Sequence, residues 1–102
     1  MNPNRTLKVV LFKLKPGVEE AAFFQVNESI LTDLRTMSGF IRRDLFKDSH
    51  GQWLDIVYWS SLAEAQRAAD AFPSLPCAQT LMEMLDDTSV TMLHLEPARS
   101  YA

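Results

Sequence analysis

Residues 40–59 read FIRRDLFKDSHGQWLDIVYW. Two runs rich in apolar residues, 40–47 and 52–59, flank the polar stretch Asp48-Ser49-His50-Gly51. A glycine there can take positive φ without steric cost, so the pattern predicts a β-hairpin. The second run decides more than local structure. Successive side chains of a strand point to opposite faces. Leu54, Ile56 and Tyr58 therefore share one face, while Trp53, Val57 and Trp59 share the other with Asp55. An antiparallel sheet with one wet face alternates apolar with polar residues. This strand is apolar on both.

The same pattern extends outward. Residues 6–14 predict a strand closed by Pro16-Gly17, with Val10, Phe12 and Leu14 opposing Leu7, Val9 and Leu11. Over 18–37 the apolar residues Phe23, Val26, Ile30, Leu34 and Met37 recur at helical spacing. Glu19 and Glu20 suit the positive end of that helix, and Gly39 its stop. Ser61-Leu62-Ala63-Glu64 fits a capping box, in which the serine caps one backbone N–H and the glutamate reaches back to another. The helix behind it presents Leu62, Ala65, Ala69 and Phe72 before Pro73 and Pro76 break it. A further helical piece over 75–85 aligns Ala78, Leu81 and Leu85. Residues 88–95 predict a last strand, with Leu93 and Leu95 opposing Val90, Met92 and His94.

The order strand, helix, strand, strand, helix, strand is the ferredoxin-like βαββαβ pattern, an α+β class. It predicts one domain over 1–102, a four-stranded antiparallel sheet with helices on one face. The helices cover one side only. The other would expose more apolar surface than a monomer tolerates, so a second copy is the expected cover and a homodimer the expected state.

The 102 residues suit a single core, and 47% hydrophobic with 23% charged residues is an ordinary globular balance. The net charge of −3 and the lack of a basic stripe exclude nucleic acid as an expected partner. No run approaches a membrane span, and nothing at the N-terminus reads as a signal peptide. The lone Cys77 allows no internal disulfide, which points to a reducing, cytoplasmic setting. No zinc spacing, phosphate loop, dinucleotide fingerprint or serine-nucleophile turn is present, so no metal or cofactor is expected.

Several residues together resemble the antibiotic biosynthesis monooxygenase-like superfamily. They are Lys13-Leu14-Lys15-Pro16-Gly17, then Gly39-Phe40-Ile41 with Arg43, then Gly51, Trp53, Asp55, Val57 and Trp59 at alternate positions, followed by Ser61, Glu64 and Ala65. The resemblance spans nearly the whole chain. It implies a dimeric α+β barrel in which two sheets pack face to face. It also implies a range of activities, among them cofactor-independent oxygenation. The haem-degrading members carry an Asn on the first strand and a His on a later helix; this chain has neither at those places, which counts against haem.

Candidate chemistry centres on Asp55, a carboxylate amid large apolar neighbours. Two readings stay open: a general base of raised pKa, or a structural ion pair with Arg43. His94 is the second catalytic candidate, as a proton carrier or as a histidine bonded at the core rim, and Arg43 the third. Trp59, Tyr58, Trp53 and Met92 are expected as walls for a small apolar or aromatic ligand, or else as core and interface. The enzyme expected is a cofactor-independent monooxygenase acting on a small aromatic or polyketide-like molecule. The alternative is a non-catalytic, ligand-binding or structural homodimer of the same fold.

Overall fold

The computed structural model describes residues 5–101. The first four residues, part of the stretch read above as lacking a leader, lie outside the described residues. The elements are β1 (Thr6–Lys13), α1 (Glu20–Leu34), β2 (Phe40–Lys47), β3 (Gln52–Trp59), α2 (Leu62–Ala71), α3 (Pro76–Met84) and β4 (Thr91–Leu95). Short 3₁₀ turns, Phe72–Ser74 and Asp87–Ser89, follow α2 and precede β4. The strands form one antiparallel sheet in the order β2-β3-β1-β4. The predicted ferredoxin-like α+β architecture is what the chain adopts.

The hairpin closes as its sequence requires. Gly51 has φ +80°, and the Asp48 carboxylate accepts the backbone N–H of His50 at 2.8 Å and of Gln52 at 2.9 Å. These bonds hold its pKa below the usual 3.8. Register then assigns the faces. Thr6, Lys8, Val10 and Phe12 of β1 lie opposite Trp59, Val57, Asp55 and Trp53 of β3. This row faces the helices. Phe23 of α1 meets Trp53 with ring centroids 4.9 Å apart and Phe12 at 5.9 Å. At the other end Trp59 packs with Ile30, Leu34, Val57, Ala65 and Ala68.

Four expectations shift. The last strand begins at Thr91 and not at 88, because Asp87–Ser89 close a 3₁₀ turn before it. The first helix is shorter than 18–37, running Glu20–Leu34. On α2 the inward residues are Ala65 and Ala68, while Leu62 is exposed; the helix is rotated so that two small side chains let it approach Trp59 closely. The capping box is half formed. Ser61 Oγ accepts the Glu64 N–H at 3.2 Å, but the Glu64 carboxylate turns to serine hydroxyls instead of a backbone N–H. It accepts from Ser38 (2.6 Å), from Ser61 (3.0 Å) and from Ser60. Gly39, at φ +87°, lies against that carboxylate so closely that a Cβ there would sit 2.4 Å from Glu64 Cδ. Gly39 thus ends the α1 connection where no side chain fits.

Candidate functional site on the helix-facing side of the sheet

Asp55 sits mid-strand in β3, where neither a helix end nor a turn offers backbone donors to a carboxylate. Its partner comes from β2. Arg43 Nε donates to Asp55 Oδ1 at 2.9 Å and Arg43 Nη2 to Oδ2 at 2.6 Å. The side chains are 8% and 12% exposed, so this is a buried two-pronged ion pair. Such geometry satisfies both charges where an unpaired one would cost several kcal/mol, roughly 3–5 on loss of one partner. The ion pair between Asp55 and Arg43 is thus formed. Arg43 uses two acceptor directions of the carboxylate, and an ionised carboxylate has about four.

The strand alternation that brings Arg43 inward sends Arg42 outward, over Tyr58 at 4.6 Å from the ring centroid. Tyr58 is thus on the opposite face from Trp59, beside Arg42 and Arg5, and does not line the same site. Trp53 and Trp59 do share the face of Asp55, at 4% and 2% exposure, each packed into one of the two core clusters. They are core residues first. Met92 and His94 share that face as well, opposite Val10 and Lys8 of β1. Both are exposed, because every residue of β4 is. The structure therefore brings Arg43, Asp55, Trp53, Trp59, Met92 and His94 to one side of the sheet, grading from a buried ion pair to an open edge.

One residue of this face had no place among the candidates. Lys8 lies between Val57 and His94 in register. Burial pushes its ammonium below the usual 10.5, and the Asp55 carboxylate acts in the opposite sense. The signal was available: Lys8 falls on the same alternation as Val10 and Phe12, so a strand facing the helices must carry it inward. Cys77 is no nucleophile. Its Sγ donates to Asp33 Oδ2 at 3.0 Å, and burial followed by that carboxylate pushes the thiol up to about 11. Among the described residues no three His, Cys, Asp or Glu side chains group as metal ligands. No helix there is long and apolar enough to cross a membrane.

No protein-family profile and no curated protein matches the chain. Solved structures do. SnoaB from Streptomyces nogalater, a cofactor-independent oxygenase, superposes with a TM-score of 0.80 at 17% identity, over 95% of this chain and 96% of that one. A Nitrosomonas europaea protein assigned to the antibiotic biosynthesis monooxygenases gives 0.75 at 10% identity, over 96% and 94%. The hydroxynitrile lyase of Passiflora edulis gives 0.77 at 11% identity, over 98% and 99%. A lyase and an oxygenase on one backbone show that the fold does not fix the reaction. At these identities the likeness establishes architecture: the chain has the fold of the antibiotic biosynthesis monooxygenase-like superfamily.

Proposed function

We propose that this chain is a cofactor-independent oxygenase acting on a small aromatic or polyketide-like molecule, and that it works as a homodimer. The observation that carries the proposal is the buried Arg43–Asp55 pair on the helix-facing side, grading into an open edge at Met92 and His94. Its likeness in fold to SnoaB is what suggests oxygenation among the reactions this architecture hosts.

The chemistry asks little of a protein. An anthrone-type CH₂ loses a proton, the carbanion adds oxygen, and the hydroperoxide loses water to leave a carbonyl, so that CH₂ and O₂ become C=O and H₂O. A basic carboxylate, an apolar enclosure and a fixed positive charge near the developing anion are sufficient. In this proposal Asp55 supplies the first through the acceptor directions that Arg43 leaves open; His94 is the group at the open edge suited to carry the proton away. Trp53, Trp59 and Met92 supply apolar surface.

Oxygen uptake with an anthrone tests this. Wild type should accelerate it over buffer, and Asp55→Asn should abolish the acceleration while keeping its circular-dichroism spectrum. No acceleration by wild type refutes the oxygenase reading. The bidentate pairing favours a second reading, a ligand-binding dimer without catalysis, which predicts that Asp55→Asn alters stability alone.

The dimer rests on the other face. Leu7, Val9, Leu11, Leu54 and Ile56 lie there, and Phe46, Leu93 and Leu95 are 43–51% exposed. Monomers rarely leave a contiguous apolar patch beyond about 300–600 Å². Two copies packed sheet to sheet, about 10 Å apart, would bury it.

A further inference from the structure

On the helix-facing side of the sheet, the charges do not cancel. Arg43, Val57, Lys8 and His94 are successive partners in register, one from each strand, and so form a row across the whole sheet. Asp55 is the next inward residue of β3, diagonal to both Arg43 and Lys8. It gives both oxygens to Arg43. Lys8 is left over: among the described residues its ammonium makes no hydrogen bond or ion pair. Arg43 and Asp55 pair directly, His94 brings no negative charge, and Lys8 stays a half-buried cation that feels the Asp55 charge but makes no ion pair of its own.

Lys8 is half-buried, so its stem lies on the covered face while its ammonium, without an ion pair, is left to solvent at the open edge. Nearby hydrogen-bonding capacity is also in surplus. Thr6 Oγ1 and Trp59 Nε1 lie one inward position along from the row, directly opposite each other, both buried and both without a partner among the described residues. The row is nonetheless accessible from one end, since Met92 and His94 beside Lys8 are exposed.

We propose that Lys8 is the anion-binding residue of this site, and that the ligand is a small apolar acid, an aromatic body bearing one carboxylate or phenolate oxygen group, entering past Met92 and His94. The ligand's charge supplies what Asp55, committed to Arg43, withholds. The proposal rests on the reading that a small molecule enters this face, and it names the substrate class: a molecule that arrives as an anion, or becomes one, beside a fixed cation. It does not depend on oxygen chemistry.

Binding of 2-naphthoate and of its uncharged counterpart 2-naphthamide, followed by calorimetry at pH 7.5, separates the possibilities. Wild type should bind naphthoate about tenfold or more tighter than the amide, as expected for one charge-assisted hydrogen bond. Lys8→Met should erase the difference, and Lys8→Arg should retain most of it. Equal binding of the two compounds by wild type overturns the charge assignment. A preference that survives in Lys8→Met overturns it too, placing the anion elsewhere, for instance at Arg42 and Arg5 on the other face. Failure of both compounds to bind at millimolar concentration overturns the ligand site itself, whereas absent oxygen uptake with naphthoate binding intact removes only the oxygenase reading. Thermal unfolding without ligand gives an independent check: Lys8→Met should melt higher than wild type, and a lower melting temperature would show that Lys8 serves the fold.

Discussion

The two faces of β3 differ in how the chain completes them. Trp53, Asp55, Val57 and Trp59 are buried by α1, α2 and the residues around α3, whereas Leu54, Ile56 and Tyr58 between them are only half covered. On the covered face even a carboxylate is accommodated, because a neighbouring strand brings a guanidinium to the right spacing. On the open face the residues are the easier ones to bury, yet only Val9 is fully covered, while Leu7, Leu11, Leu54 and Ile56 stay half-buried and Leu93 and Leu95 exposed. Among the described residues most polar side chains inside find partners within the chain, with Thr6 Oγ1, Trp59 Nε1, Asn27 Oδ1 and Arg5 Nε the buried exceptions; most apolar side chains outside are left partly covered. A short chain can afford one layer of helix, so its other face is where the proposed second copy would pack.

Breaking the buried pair should have the largest effect. Asp55→Ala leaves Arg43 charged and unpartnered, and should cost roughly 3–5 kcal/mol in urea denaturation. Replacing both, Arg43→Met with Asp55→Leu, should recover most of that loss. A single substitution as mild as the double would show that the covered face is wetter than described.

The open face should break differently. Ile56→Asp places a charge at its centre and should convert a dimer to a folded monomer in sedimentation at micromolar concentration, a weakening of at least about 3 kcal/mol from burying an unpaired carboxylate. Unfolding of the subunit instead would mean that this face belongs to the monomer's own core.

Gly39→Ala sharpens the comparison on the covered side alone. The new Cβ meets the Glu64 carboxylate, itself held by three serine hydroxyls, and adopts a φ of +87°. About 2 kcal/mol should be lost, read as a lower denaturation midpoint with an unchanged oligomeric state.

The smallest effect belongs to the hairpin tip, which lies on neither face. Asp48 has its pKa depressed by the N–H groups of Gln52 and His50. A depressed carboxylate stabilises the folded state fully above its ordinary value of 3.8, and that contribution fades as pH falls through the lower folded value. Asp48→Asn should thus be less stable than wild type at neutral pH, with the gap closing in acid. A gap that persists below both values would assign the effect to shape rather than charge.

Much of this was legible in the chain. Alternation along 52–59 fixes which residues of β3 share a face, and the Pro16-Gly17 and Asp48-to-Gly51 breaks fix where strands end, because these depend on neighbours a few residues away. The order of elements limits the fold to the ferredoxin-like arrangement. Arg43 as the partner of Asp55 was also within reach, since hairpin register is set by the turn.

What the sequence could not decide were relations between segments far apart along it. That Lys8 would be left without a direct ion pair follows from Asp55 closing on Arg43 in preference, a choice between two neighbouring strands. That Glu64 would serve Ser38, Ser60 and Ser61 rather than its own backbone, and that α2 would turn Ala68 inward and Leu62 outward, follow from how closely that helix packs on Trp59. Local periodicity states which side chains point together; only the packed tertiary structure determines which of them find partners, because partnership depends on distance in space and on competition among groups that the linear chain keeps apart.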